Sequence, residues 1–61
     1  MAGALINLGV DANAIGAYDD AVVITEKALL LAHNPEHLRL CEANVAIYRN
    51  NRAQKLAPPG R

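Results

Sequence analysis

Two helix-breaking positions divide this sequence into three segments, each with the apolar spacing of an α-helix. The first is Gly16, because glycine readily adopts the left-handed conformation that ends many helices. The second is Asn34-Pro35, where the asparagine can cap the following helix and the proline suits its first turn. The predicted helices span about residues 2–15, 19–32 and 35–52, the last extending as far as residue 56. The predicted fold class is therefore all-α, an antiparallel helical hairpin plus a third helix.

Small residues are expected to bring the first two helices close together. Leu5, Leu8 and Ala12 recur at helical spacing and form one apolar stripe of the first helix. Gly9 lies beside this stripe, inside a helix, where glycine costs about 1 kcal/mol relative to alanine. We therefore expect its role to be close packing against small residues of the second helix. The predicted helix-packing residues are Leu5, Leu8, Gly9, Ala21 and Ala28.

The length of the chain limits its core. It has 61 residues, contains no Phe or Trp, and much of its apolar content is alanine. A chain of this size buries only about 60% of the surface that its unfolded form exposes. We therefore expect the core to be completed by dimerisation or by burial in a larger assembly.

The charges are balanced overall but unevenly distributed. The formal net charge is zero, which argues against general nucleic-acid affinity. Residues 1–35 carry four acidic residues and one lysine, whereas residues 36–61 carry five basic and two acidic residues. Such a chain can pair head to tail with its own copy, or place its basic end on an acidic partner.

Cysteine usage and hydropathy bear on the compartment. Cys41 is the only cysteine, which excludes a disulfide scaffold and favours a reducing compartment. The first ten residues lack the basic start of a signal peptide, and no apolar run approaches the roughly 20 residues of a membrane span. We therefore expect a non-secreted, cytoplasmic protein without a membrane span.

The hairpin resembles a known helical repeat. Its Gly16, the run Tyr18-Asp19-Asp20-Ala21 and the run Glu26-Lys27-Ala28-Leu29 follow Leu5 and Leu8-Gly9 at the spacing of the tetratricopeptide repeat, a helical hairpin of about 34 residues. Leu5, Ala12 and Thr25 stand where that family usually has large aromatic residues. The resemblance implies a repeat over residues 1–35 and a third or capping helix over 36–56. Residues 57–61 contain prolines and a glycine that cannot continue a helix, so a flexible Pro/Gly tail is expected there.

The resemblance also implies a function in protein association. Such repeats often bind peptides or helices along a concave face formed by their first helices, which here would carry Gly3, Ile6, Val10, Asn13 and Ala14. No basic clamp for a terminal carboxylate occurs in the first helix. The predicted function is a protein–protein interaction module, a scaffold that self-associates or serves as a small subunit or fragment of a larger helical-repeat assembly. The predicted partner-binding residues are Ile6, Val10 and Asn13, with Leu40, Ile47 and Tyr48 of the third helix.

No set of residues predicts catalytic or metal chemistry. His33, His37 and Cys41 follow at four-residue spacing, but the break at Asn34-Pro35 separates His33 from the other two. Two ligands make at best half of a zinc site, and three short helices leave little room for a Cys–His catalytic pocket. We therefore expect no enzyme activity, no metal, no cofactor and no small-molecule substrate.

The alternative function is a small helical nucleic-acid-binding regulator. Its candidate surface is the basic segment from Arg49 to Lys55, and three helices with short turns would allow a helix-turn-helix arrangement. The segment has no aromatic residue for base stacking, and the third helix carries apolar residues typical of a buried face. The second helix also begins with acidic residues, which phosphates repel. The sequence therefore favours a protein partner.

Overall fold

The structure, a computed structural model, describes residues 1–56 and consists there of three helices. They are α1 (Ala2–Ala14), α2 (Tyr18–Leu31) and α3 (Pro35–Leu56). Helices α1 and α2 form a closely packed hairpin, and α3 packs mainly on α2. The all-α fold class is thus confirmed, whereas the predicted tail at 57–61 lies outside the described residues. None of the three helices is long and apolar enough to cross a membrane.

The first turn has the geometry that Gly16 predicts. This glycine has φ +84°, in the left-handed region. Its N–H donates to the Asn13 carbonyl at 3.0 Å, and the Ala17 N–H donates to the Ala12 carbonyl at 2.9 Å. This pair of hydrogen bonds is a Schellman motif, which satisfies two carbonyls at the end of α1. The turn is therefore closed by backbone geometry that only glycine adopts without strain.

Replacing Gly16 by L-alanine is expected to lower the free energy of unfolding by about 1 kcal/mol. No heavy atom lies within 4 Å of where a Cβ would be added, so the loss is due to the positive φ alone. The matched control is D-alanine, introduced by chemical synthesis, which favours positive φ and should stabilise the protein. Urea unfolding followed by circular dichroism measures both, and equal effects of the two enantiomers would contradict this account.

The second turn is capped by a side chain. The Asn34 Oδ1 accepts a hydrogen bond from the His37 backbone N–H at 2.7 Å. Glu36 lies in the first turn of α3, where a carboxylate is favoured by the positive end of the helix dipole. The predicted cap is therefore confirmed, and α3 begins at Pro35 as expected.

The core consists of two small clusters along the hairpin. One contains Tyr48 of α3, and the other contains Cys41 of the same helix. Cys41, Val45 and Tyr48 are the buried residues of α3. The full membership is Ala12, Ala21, Val22 and Tyr48 in the first cluster, and Ile6, Ala28 and Cys41 in the second.

The buried face of α1 differs from the predicted stripe by one position. It consists of Ala2, Ile6, Gly9 and Ala12. Leu5 is partly buried and packs against the second cluster, but Leu8 is 52% exposed. The reason is that Gly9, rather than its larger neighbour, occupies the closest approach to α2.

Gly9 lies directly against α2. A Cβ built on it would be 2.5 Å from Thr25 Oγ1 and 3.6 Å from the Ala21 carbonyl oxygen. Thr25 is fully buried, and its Oγ1 has no hydrogen-bond partner in the described structure. Gly9 thus lies against Thr25 and Ala21, whereas Ala28 belongs to the other cluster, with Ile6 and Cys41.

Candidate interaction surface

A shallow groove between α1 and α2 remains open along the hairpin. It is mostly apolar, with an acidic residue from each helix, and we call it the hairpin face. Its lining residues are Leu8, Asp11, Ala12 and Ile15 from α1 or its end, Ala17 from the turn, and Asp20, Val23 and Ile24 from α2. An apolar groove of this kind has the composition of a surface that packs against another helix.

Large side chains of the hairpin face are left in solvent. Ile15 is 81% exposed, and Leu8 and Val23 are each 52% exposed. Leu30, two helical turns after Val23, is 84% exposed. Such exposure leaves most of the apolar area of these side chains available for burial against another molecule, at about 25 cal/mol per Å².

Repeated seven-residue spacing is the sequence signal for this face. Leu8 and Ile15 are seven residues apart in the chain, and so are Val23 and Leu30. Seven residues make about two helical turns, so each pair lies along one side of its helix. Sequence reasoning assigned Leu8 to the buried stripe and did not single out Ile15, Val23 or Leu30.

The partner-binding residues predicted from sequence are divided between surface and core. Val10, Leu40 and Ile47 are between 44% and 52% exposed and remain at the surface. Ile6 and Tyr48 are 5% and 4% exposed, respectively, and belong to the core clusters. Both are committed to packing α3 on the hairpin, so their side chains are not at the surface of this unit.

Asn13, the remaining predicted contact residue, joins two helices of the same chain. Its Oδ1 accepts a hydrogen bond from Asn51 Nδ2 at 2.9 Å, in a partly buried position. This bond ties the end of α1 to α3 across 38 residues of sequence. The Asn13 side chain therefore has a structural role within the chain.

Three basic residues near the C-terminal end of α3 make contacts within the protein. Arg49 forms an ion pair with Glu26, and Arg52 Nη1 lies 3.4 Å from Asp19 Oδ1. Lys55 donates a hydrogen bond to the Gly16 carbonyl at 3.0 Å. Its Nζ also lies 5.6 Å from the centroid of the Tyr18 ring. These side chains hold α3 against α2 and the turn before it, so a phosphate backbone would have to compete with existing partners.

The histidines and the cysteine are not assembled into a ligand set. Cys41 is fully buried, whereas His33 and His37 line a crevice near the N-terminus of α1. Among residues 1–56, no group of three His, Cys, Asp or Glu side chains could hold a metal ion. The structure brings His33 and His37 to one crevice, which sequence reasoning did not anticipate across the turn.

The Cys41 thiol is expected to react slowly with alkylating reagents in the folded protein. Burial raises its pKa, and the nearby Glu42 carboxylate raises it further, so less of the reactive thiolate forms. Because a buried thiol reacts mainly when the chain unfolds, its rate of modification falls with the unfolded fraction. At pH 8, iodoacetamide should modify the native thiol about 100-fold more slowly than the unfolded one, which is the ratio expected for a free energy of unfolding of roughly 3 kcal/mol. Mass spectrometry with and without urea measures the two rates. Equal rates would show that α3 does not stay packed on the hairpin.

Comparisons with known proteins returned no relative. No protein-family model matches this sequence, no curated protein matches it, and no solved structure matches the fold.

Proposed function

We propose that this chain is a protein–protein interaction module whose hairpin face is buried in an assembly. The module is a tetratricopeptide-like hairpin closed on one side by α3, and it either self-associates or serves as a small subunit of a larger helical assembly. The observation that carries the proposal is the uncovered groove between α1 and α2, with Leu8, Ile15 and Val23 half or more exposed.

The packing of α3 supports the proposal, because it gives an example of how a helix covers this hairpin. Helix α3 contributes an apolar stripe that includes Cys41 and Tyr48, flanked by Arg49 and Arg52, which pair with acidic residues of α2. The hairpin face offers the same combination, apolar side chains next to Asp11 and Asp20. A second helix with a complementary surface would therefore find matching chemistry there.

In this proposal the module works in the cytoplasm and has no catalytic activity of its own. A lone buried thiol at Cys41 suits the reducing cytoplasm, where disulfides are rare. We assign no catalytic residue, cofactor or small-molecule substrate to the module. Its contribution is binding surface alone.

The proposal is tested by placing a charge on the hairpin face. Val23→Glu is expected to abolish association, because the carboxylate would lose its hydration in a closed interface. The matched control is Ala46→Glu, on an exposed position of α3. Both variants should keep the helical circular dichroism of the wild type, since both positions are exposed.

Association is measured in two ways. Light scattering across a dilution series detects self-association, and affinity capture from an extract of the source organism detects a foreign partner. The wild type and Ala46→Glu should associate in at least one of them, and Val23→Glu in neither. Equal behaviour of all three proteins in both measurements would contradict the proposed function.

A further inference from the structure

We propose that the occupant of the hairpin face is a second copy of this chain, docked so that α2 runs antiparallel to α2 of the other copy. This inference rests on the proposed function and names the partner of the same face. The evidence is the distribution of charge and side-chain size along α2, which is complementary to itself under a twofold rotation.

The charges of α2 fall into two sets. Asp19 and Glu26 face α3 and pair with its arginines. Asp20 and Lys27 are exposed, and neither makes an ion pair or a side-chain hydrogen bond within residues 1–56. Helix α3 thus forms ion pairs with Asp19 and Glu26 only, and Asp20 and Lys27 remain available to pair with another molecule.

Asp20 and Lys27 are placed symmetrically on α2. They are seven residues apart, about two helical turns, so both lie along one side of the helix. The midpoint between them falls between Val23 and Ile24, which line the hairpin face. In a twofold antiparallel pair centred at this midpoint, Asp20 of each copy faces Lys27 of the other. The symmetry therefore creates two ion pairs from one sequence, as an isologous interface requires.

Side-chain sizes follow the same symmetry. Residues that face each other in this register have numbers that add up to 47, so Val23 meets Ile24 of the second copy. Leu30 then lies over Ala17, which is the small residue at the other end of the face. Leu30 and Ile15 are 84% and 81% exposed in the single chain, and they lie at opposite ends of the hairpin, near the end of α2 and just after α1. The antiparallel arrangement brings Leu30 of one copy toward Ile15 of the other copy, so both side chains become covered.

The charge pattern favours a second copy over a foreign basic helix. A basic helix would suit a face with acidic residues alone, whereas Lys27 would repel it. In the self-paired arrangement, Lys27 approaches Asp20 of the other copy, and Asp11 in the same groove adds to the negative potential that it meets. The face thus carries both signs at the positions that its own twofold rotation matches.

Charge reversal tests the pairing. Asp20→Lys and Lys27→Asp should each raise the dimer dissociation constant by about 10- to 100-fold, because each turns two attractive contacts of the dimer into repulsive ones. An equimolar mixture of the two variants should form a heterodimer with a dissociation constant within about threefold of the wild type, since Asp and Lys face each other again. Glu42→Lys, an equal charge change at an exposed site of α3, is the control and should change affinity less than about twofold.

Cysteine cross-linking tests the orientation. In the antiparallel register, Val23→Cys lies next to the twofold axis and should form a disulfide with its own copy under mild oxidation. Leu30→Cys, at a position more exposed than Val23, should not, because its copies would be about 20 Å apart, far beyond the roughly 7 Å limit between Cα atoms in a disulfide. The wild type serves as the background, since Cys41 is fully buried.

The outcomes separate this inference from the proposed function. Sedimentation equilibrium that shows a wild-type dimer, charge-swap rescue in the mixture and cross-linking at position 23 only would support the second copy. A wild type that stays monomeric, a mixture no tighter than the separate variants, or cross-linking at position 30 would overturn it. If the monomer still captured a partner that Val23→Glu loses, the proposed function would stand and only the identity of the occupant would fall.

Discussion

Replacing Tyr48 by alanine is expected to unfold most of the protein at 25 °C. Tyr48 is the largest side chain of the core, 4% exposed, and it connects α3 to Ala12, Ala21 and Val22 of the hairpin. Removing a buried aromatic side chain costs about 3–5 kcal/mol. A domain of this length rarely has more than about 3–5 kcal/mol of stability. The loss is therefore comparable to the whole free energy of unfolding.

Circular dichroism at 222 nm and urea unfolding measure this effect, and Tyr48→Phe is the control. The phenylalanine variant keeps the ring and should stay folded at pH 7.

The phenylalanine variant should also differ from the wild type in stability at high pH. Burial raises the pKa of the Tyr48 hydroxyl in the folded state, so the unfolded chain ionises first. Stability of the wild type is therefore lost as pH rises through about 10, the unfolded pKa, and Tyr48→Phe should lose less. An unchanged urea midpoint for Tyr48→Ala would show that α3 does not depend on this side chain.

The elements that sequence reasoning predicted well depend on local chemistry. Gly16 ends α1 because its backbone adopts positive φ, and Asn34 begins α3 because its side chain reaches a nearby N–H. Neither property requires knowledge of which residues meet across the fold. The helix boundaries of the structure consequently agree with the predicted ones to within one residue where these breaks define them.

The buried face of α1 could not be deduced in the same way. Ile6 and Leu8 are both apolar, and local periodicity permits either to face inward. The choice is made by Gly9, which must face α2, because only a residue without a Cβ fits against Thr25. That rotation buries Ile6 and turns Leu8 toward the open groove. For the same reason, the predicted partner-binding set mixed core residues with surface residues, and only tertiary contacts separate the two.

The Gly9–Thr25 contact makes a second prediction. Gly9→Ala should lower the free energy of unfolding by about 1–2 kcal/mol, although alanine gains about 1 kcal/mol of helix propensity. The added Cβ would overlap Thr25 Oγ1, an atom one bond from Cβ that cannot move far without rotating into the core. Packing strain therefore exceeds the propensity gain. Urea unfolding followed by circular dichroism measures the net change.

A double-mutant cycle isolates this contact. Thr25→Ala alone should change stability by less than about 1 kcal/mol, because it removes a methyl group but also a buried hydroxyl that has no hydrogen-bond partner. In the double variant the new Cβ occupies the space that the threonine leaves. Gly9→Ala/Thr25→Ala should then be more stable than Gly9→Ala, with a coupling of at least about 1 kcal/mol. Additive effects would mean that the two helices separate instead of keeping this contact. A threonine at this position is thus matched to a glycine on the facing helix, and together they fix the rotation of α1 that leaves the hairpin face open.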